Sequence, residues 1–556
     1  MIALLFSGIC TFLLCSVGGY IITDFLKWKT NRFDEFFLGL AAVNAYFTIY
    51  SIFHAISAFS AVALLIAYAL YFSIRRLSLQ NLIEAFQRFT KRPLGNKPFY
   101  ILLFILCSPV LISLDYTGVY DTGLYHTQAV QWITDYRAVP GLANLHSRFG
   151  FNPNIFSLFA ATSFTPLFQQ PIYSVNLCVF SVFVLWVMTN MHSAYTFKKY
   201  NLMLRNSVLL GFVYPYCVKH ASLPTPDVVP MIILCYILLR FVETEHDQTA
   251  SGLLFILCIY AVTLKLSAVP ILLIAAILSI QYKFYKPKLN HFMILALSLL
   301  IVLPWMIRGI IYTGWLVYPF SSIDLFSFDW KVPTEQVKNL HMAITGSARH
   351  YDPKYYEWAS QTSYWEWIPI WLKKQDITDL LLLFGSLFIP LALLILTCTK
   401  KLQIQTNLSL ALLTSLLGIL FWFVTAPDFR FGLPFIAICF ILPMCLLKPA
   451  AAWGKISHGI LFILIPTVLL VELGSFVFQN ARHFPKPYFV PNKMERMNDQ
   501  RSVDFNYFWI DGKVKCFYPV IGDRCFDMTL PCTKDLKNDL HLRGEGIENG
   551  FRTVNG

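Results

Sequence analysis

The chain has 556 residues, of which 56% are hydrophobic and only 13% charged. An ordinary soluble domain carries about 25% charged residues, and one water-solvated core of this length cannot hide so much apolar surface. The net charge of +13 does not signal nucleic acid, because most Lys and Arg lie in short loops between apolar runs, where orientation in a membrane puts them.

The apolar runs predict an all-α fold, a polytopic transmembrane helix bundle of about 14 spans. In chain order the spans fall at 2–22, 35–56, 58–74, 99–114, 172–191, 206–218, 228–241, 252–264, 268–280, 292–307, 380–397, 408–424, 431–447 and 458–476. The first run has no basic segment before it and is long enough to span, so it does not read as a cleavable signal peptide. Basic loops at Arg75/Arg76/Arg88/Lys91/Arg92, Lys198/Lys199/Arg205, Lys283/Lys286/Lys288, Lys400/Lys401 and Lys448/Lys455 are expected on the cytoplasmic side, with the N-terminus outside. That scheme holds only if the short apolar stretch 155–168 does not cross, so it is expected to be re-entrant or interfacial.

Five segments follow: extra N-terminal helices and a basic loop (1–98), a catalytic membrane core with the first outer loop at 115–154 (99–311), a large outer loop (312–379), C-terminal spans (380–478) and a small periplasmic tail (479–556). No internal repeat is visible, which weighs against an inverted-repeat transporter. Most of the 13 cysteines sit singly in apolar runs, and only Cys516, Cys525 and Cys532 share a polar region. Outside the cytoplasm Cys525 and Cys532 are close enough to close a small loop, leaving Cys516 over, or Cys516 pairs instead.

Chemistry-bearing residues concentrate in the expected outer loops. The stretch 115–154 holds Asp115, Asp121, His126, Asp135, Arg137, His146 and Arg148. Within it Leu124, Ala129, Trp132 and Ile133 recur at helical spacing, predicting an amphipathic helix on the membrane surface with Asp121 or Thr122 at its start. Asp121 reads equally as that helix cap or as a general base for an acceptor hydroxyl attacking a sugar carbon. SLPTPD ends in Asp227 at the mouth of a span, a position for a substrate hydroxyl or a simple helix start. TLKLSAVP places Lys265 at membrane level, where an ammonium is costly unless paired or snorkelling. Arg308 follows a span and precedes an aromatic segment, and APDFRFG brings Asp428 and Arg430 together. Arginine forks match phosphate, although Asp428 and Arg430 also suit a plain ion pair. Acids for hydroxyls and cations for phosphate on one face fit a sugar carried on a lipid phosphate. There is no CxxC zinc pair, HExxH, Walker A loop, dinucleotide fingerprint or GxSxG elbow in usable context.

The order of DTGLYH, TPD, LKLSAVP, the Arg308 segment and APDFRFG resembles bacterial membrane proteins of the GT-C glycosyltransferase superfamily, and within it an uncharacterised branch known only as a domain of unknown function. The resemblance covers roughly 99–476, with the three N-terminal spans as an addition. It implies an acid of the first outer loop as catalytic base, matched by Asp121, with Tyr125 at the neighbouring aromatic position. It implies a second acid, matched by Asp227, and transfer with inversion from a polyprenyl-phosphate sugar. Thr122 stands where the common pattern has a second acid. The motif therefore does not support a divalent metal, and Asp115 stays open as an alternative.

The expected function is transfer of a sugar from a lipid-linked donor to a cell-envelope glycan or lipid acceptor, at the periplasmic face of the bacterial inner membrane. Asp121, Asp227 and the assisting His126 form the catalytic set. Asp115, Tyr125, Lys265, Arg308, Asp428 and Arg430 form the substrate-binding set; no cofactor is certain, and a divalent metal stays open although the motif does not support one. The alternatives are an O-antigen-type polysaccharide polymerase or ligase leaning on arginine, a lipid or glycan transporter without chemistry, and an assembly subunit with a decayed site.

Overall fold

The computed structural model describes residues 2–76, 120–243, 247–284, 286, 288–399, 404–464, 467, 470, 474, 497–498, 501–534 and 536–553. The expected span at 99–114, Asp115, the basic residues Arg88, Lys91, Arg92, Lys400 and Lys401, and most of the far half of the expected span at 458–476 lie outside the described residues.

In chain order the helices are α1 (Ile2–Leu26), α2 (Arg32–Phe53), α3 (Ala58–Arg75), α4 (Thr127–Asp135), α5 (Val175–Thr196), α6 (Tyr200–Lys219), α7 (Val228–Glu243) and α8 (Gln248–Leu264). They continue as α9 (Leu272–Gln281), α10 (Leu289–Thr313), α11 (Thr334–Arg349), α12 (Tyr364–Lys374), α13 (Ile377–Cys398), α14 (Thr406–Thr425), α15 (Phe429–Ile441) and α16 (Ala451–Gly459). Among the described residues seven helices are long and apolar enough to cross a membrane: α1, α2, α3, α5, α10, α14 and the run Phe429–Leu446 that contains α15. Thr249–Leu264, Leu266–Gln281 and Ile377–Leu393 are apolar but shorter. The expected spans at 206–218 and 228–241 are helices too, and in α7 every residue from Val228 to Leu239 is buried. The stretch 155–168 breaks into Phe156–Ala161 and Thr165–Phe168, neither long enough to cross.

Local chemistry explains the helix starts and the tightest crossing. Asn31 caps α2 by accepting from the N–H groups of Phe33 and Asp34, and Asp247 caps α8 through Thr249 and Ala250. α1 and α2 meet backbone to backbone at Gly19 and Gly39, where a Cβ on Gly39 would lie 1.7 Å from Cys15 O. Close approach of this kind gains van der Waals contact where lipid offers no hydrophobic drive.

The C-terminal ends of α2, α6, α8, α10 and α14 gather with the N-terminal ends of α7 and α15. The segment 136–154 is bonded across this end: Ala138 N–H to Ser51 O at 2.8 Å, Gly141 N–H to Ile311 O at 2.8 Å and Asn154 N–H to Thr263 O at 3.0 Å. Arg75, Lys198, Lys199, Lys283 and Lys288 belong to helix ends and connections at the opposite end.

That opposite end holds a second ionic cluster, built on the buried Asp34 and Arg205, which the expectation of polar residues on one face did not include. Arg240 Nη2 reaches Asp34 Oδ2 at 2.8 Å and Arg205 Nη2 reaches Glu243 Oε1 at 2.9 Å, with the Tyr236 hydroxyl donating to Asp34. α2, α6 and α7 are thereby tied by charge where they enter the basic side.

The C-terminal segment departs from the all-α expectation. It forms three antiparallel pairs: β1 (Met497–Asn498) with β2 (Arg501–Ser502), β3 (Phe505–Ile510) with β4 (Val514–Pro519), and β5 (Leu540–Leu542) with β6 (Phe551–Thr553). β3 and β4 are joined through Asp511 and Gly512 at φ 51° and 67°, the left-handed pair that a tight hairpin turn requires. Cys525 and Cys532 form a disulfide, and Cys516 is free and buried.

Candidate functional site

The helix before α4 is not a regular one. Thr122–His126 forms a wide π turn in which Thr127 N–H reaches back to Thr122 O, and such turns recur at functional sites. Asp121 is already helical and its side chain makes no capping bond, so the cap role expected for Asp121 or Thr122 is not seen. Nor does the helix lie bare on a surface. Tyr125, His126, Gln128, Trp132 and Ile133 are all buried, partly because the C-terminal segment covers them: Phe526 N–H donates to Gly123 O at 2.7 Å and Gln128 Nε2 to Met528 O at 2.6 Å.

Asp121 opens onto a chain of charges drawn from five places in the sequence. Its Oδ1 lies 3.3 Å from Arg148 Nη1 and its Oδ2 lies 2.9 Å from Arg430 Nη1. The same Arg430 Nη1 lies 3.9 Å from Asp227 Oδ2, and Arg430 Nε lies 3.0 Å from Asp428 Oδ2. Asp227 pairs in turn with Lys265 and accepts from the hydroxyls of Tyr216 at 3.3 Å and Thr225 at 3.4 Å. Lys265 and Arg430 both lie over the Phe431 ring, at 3.7 and 4.8 Å, and Arg148 lies 5.7 Å from the centre of the Tyr125 ring.

Each position follows from local structure. Asp428 caps α15 by accepting from Arg430 N–H, which turns the Arg430 side chain back toward Asp428 and across to the other acids. Asp227 is the last residue before α7, where the helix dipole favours a carboxylate. Lys265 ends α8 in an extended conformation, so its ammonium leaves the apolar packing and meets Asp227.

Burial divides the cluster into a floor and a mouth. Asp121 and Asp227 are 8% exposed, whereas the side chains of Arg148, Arg430 and Asp428 are 29%, 30% and 36% exposed. Burial alone would raise the Asp121 carboxyl. The charges of His126, Arg148 and Arg430 outweigh it and hold Asp121 below the usual carboxylate range. Asp227 behaves likewise: burial pushes it up, and Lys265 and Arg430 pull it well down. His126 is buried and, among the described residues, its Nδ1 meets no hydrogen-bond partner. Burial is the main reason its imidazole falls to about 4, against the opposite pull of Asp121 and Asp227.

The structure thus brings together Asp121, Tyr125, His126, Asp227, Lys265, Asp428 and Arg430. It does not bring Arg308 to them. Arg308 is fully buried, with Nε on Asn152 Oδ1 at 2.6 Å and Nη1 on Ser51 Oγ at 3.2 Å, so it holds the segment 136–154 against α2 and α10. Asp115 lies outside the described residues. Arg148, Tyr216 and Thr225 join the site without having been singled out for it. Only Arg148 carried a signal, as a cation in the same outer loop as Asp121. Among the described residues no three His, Cys, Asp or Glu side chains converge as metal ligands, and the three acids face cations instead.

A family model described as a domain of unknown function, DUF8201, matches residues 1–437. Its matched residues include the three N-terminal helices α1, α2 and α3. It reaches past Arg430 and therefore includes every charged residue of the cluster. No curated protein and no solved structure matches the chain. The model spans well over half of the sequence, and the chain belongs to the DUF8201 family.

Proposed function

We propose that the cluster is the active site of a membrane glycosyltransferase that takes a sugar from a polyprenyl-phosphate donor and passes it to a cell-envelope acceptor. The observation that carries this reading is the Arg430 guanidinium, which touches Asp121, Asp227 and Asp428 at once. One cation held by three acids gives a site with hydroxyl-binding and phosphate-binding groups within a few ångströms.

Asp121 takes the proton of the acceptor hydroxyl, whose oxygen attacks the anomeric carbon. The bond from that carbon to the donor phosphate breaks, and its electron pair leaves with the phosphate. Arg148, Arg430 and Lys265 receive the charge that develops there. Asp227 orients the sugar or the acceptor, with Tyr216 and Thr225 around it. The cations balance the acids in the resting site, so an arriving phosphate competes with the carboxylates for the guanidiniums. Its binding draws Arg148 and Arg430 away from Asp121 and restores basicity to that carboxylate. Donor therefore binds before acceptor. The reading puts the site on the periplasmic side of a bacterial inner membrane, with the basic helix ends in the cytoplasm.

The test is to incubate the purified chain with polyprenyl-phosphate sugars and measure released lipid phosphate. Asp121→Asn is expected to lower turnover at least about 100-fold, the usual share of a general base. Full turnover by that variant would remove Asp121 from the chemistry and favour a polymerase or ligase that relies on arginine.

A transporter is the second reading, and one observation favours it: buried charges also lie at the opposite end, at Asp34 and Arg205, paired with Arg240 and Glu243. Vesicle flux of the lipid-linked sugar without turnover would support it over transfer.

A further inference from the structure

The π turn that aims Tyr125 and His126 needs an explanation, because an ordinary α-helix would be expected here. In a regular helix Thr127 N–H would bond Gly123 O, four residues back. Here that N–H reaches Thr122 O instead, and Gly123 O accepts a 2.7 Å bond from Phe526 N–H. The donor comes from the far end of the chain.

Phe526 is placed for this by its own neighbourhood. It follows Cys525, the first half of the disulfide to Cys532, and its backbone sits at φ 51°, a conformation that costs a bulky residue energy unless the surroundings enforce it. The same loop grips the helix on both sides of Gly123. The Tyr120 hydroxyl donates to Asp523, and Gln128 Nε2 donates to Met528 O at 2.6 Å. A Cβ on Gly123 would lie 2.9 Å from the Phe526 ring, so only glycine lets the loop come this close.

We infer that Phe526 is a positioning residue of the site: its backbone N–H, held in place by the Cys525–Cys532 disulfide, traps the π turn and so keeps His126 and Tyr125 turned into the charge cluster. Without that donor, Thr127 N–H closes onto Gly123 O. The helix then rewinds by one residue, and the side chains beyond the turn rotate with it relative to Asp121. The clamp rests on geometry alone and holds whatever reaction the cluster runs.

The test reads His126 directly. The full-length protein in detergent is treated with diethyl pyrocarbonate, and modification is mapped by peptide mass spectrometry. His126 is 2% exposed and His220 is 7% exposed, with His220 bonded to Tyr216 O of its own helix, so His220 serves as the internal standard. Phe526→Pro, which removes the N–H and cannot adopt a positive φ, should raise the His126 rate at least tenfold and leave His220 unchanged. Phe526→Gly keeps the N–H and accepts the positive φ, and should stay as protected as the native chain. The C525S/C532S double variant should behave like Phe526→Pro, and it carries the test if the proline variant does not fold. Unchanged protection of His126 in both, a parallel rise at His220, or equal exposure in Phe526→Gly would each overturn the clamp. Sugar transfer is not read in this experiment, so its failure and that of the clamp are separately visible.

Discussion

At the scale of single residues the question is how three acids and three cations share one small volume. Arg430 decides it, because its planar fork donates from Nη1 to Asp121 and from Nε to Asp428 while its charge also reaches Asp227 at 3.9 Å, whereas an ammonium is a point charge. Arg430→Lys should therefore not be conservative. Donor-dependent turnover is expected to fall roughly 100-fold, as for loss of one preorganised oxyanion donor, with the melting temperature nearly kept. Turnover within a few-fold of native would show that charge alone is enough. His126 makes a prediction about pH. Its imidazole is depressed in the fold, to about 4, mainly by burial. The unfolded chain, with a value near 6.5, binds the proton more readily. The contribution is therefore complete above about pH 6.5 and lost as pH falls toward 4. Between pH 7 and 5 this single residue should cost about 2 kcal/mol of stability. His126→Gln should flatten that part of the melting-temperature profile, leaving the slope due to His146, which burial and the Arg148 charge also depress. An unchanged slope would mean His126 is reached by water in the fold.

At the scale of elements the first helical hairpin is the tightest joint. A methyl on Gly39 would sit 1.7 Å from Cys15 O, a backbone atom that cannot swing aside, whereas a methyl on Gly8 would meet only Ser174 Cβ at 3.9 Å. Gly39→Ala should force α1 and α2 apart and cost about 2 kcal/mol, as overpacking does, while Gly8→Ala should be nearly silent in the same detergent melt. Equal melting temperatures would mean the hairpin gives more easily than its geometry indicates. The helices were legible in the sequence because lipid as solvent writes them as long apolar runs, and the gathering of Asp121, Asp227, Lys265 and Arg430 followed from counting which span ends share a face. Facing was not legible. Arg308 at a span end reads the same whether it points into the mouth or inward to Asn152 and Ser51, as it does. The π turn was not legible either, since its cause is a backbone N–H at Phe526, far along the chain. The hairpin of the tail did carry a signal in Asp511–Gly512 between two aromatic-rich runs, FNYFWI and VKCFYP, and the dominant apolar pattern of the chain drew attention away from it.

At the scale of the whole molecule the two ends differ in kind. The site end carries Asp121, Asp227 and Asp428, the aromatic segment 312–379 and the β-rich tail. The opposite end carries the basic connections, and charge bias of this sort sets orientation in a bilayer. The two faces can be told apart by labelling. Trp365 on α12 is 89% exposed. Its helix is fixed at the site end, where Trp371 Nε1 donates to Pro427 O at 2.8 Å and Trp367 lies 5.4 Å from Phe423. α13 begins three residues after α12 and runs to the other end, finishing at Cys398, an exposed free cysteine. A membrane-impermeant maleimide added to intact cells should modify a cysteine placed at 365 and leave Cys398 unmodified until the membrane is opened. Most of the other free cysteines are buried in the bundle and should stay silent throughout. Labelling of Cys398 first would invert the molecule, turn the charge cluster to the cytoplasm and put a periplasmic transfer reaction out of reach.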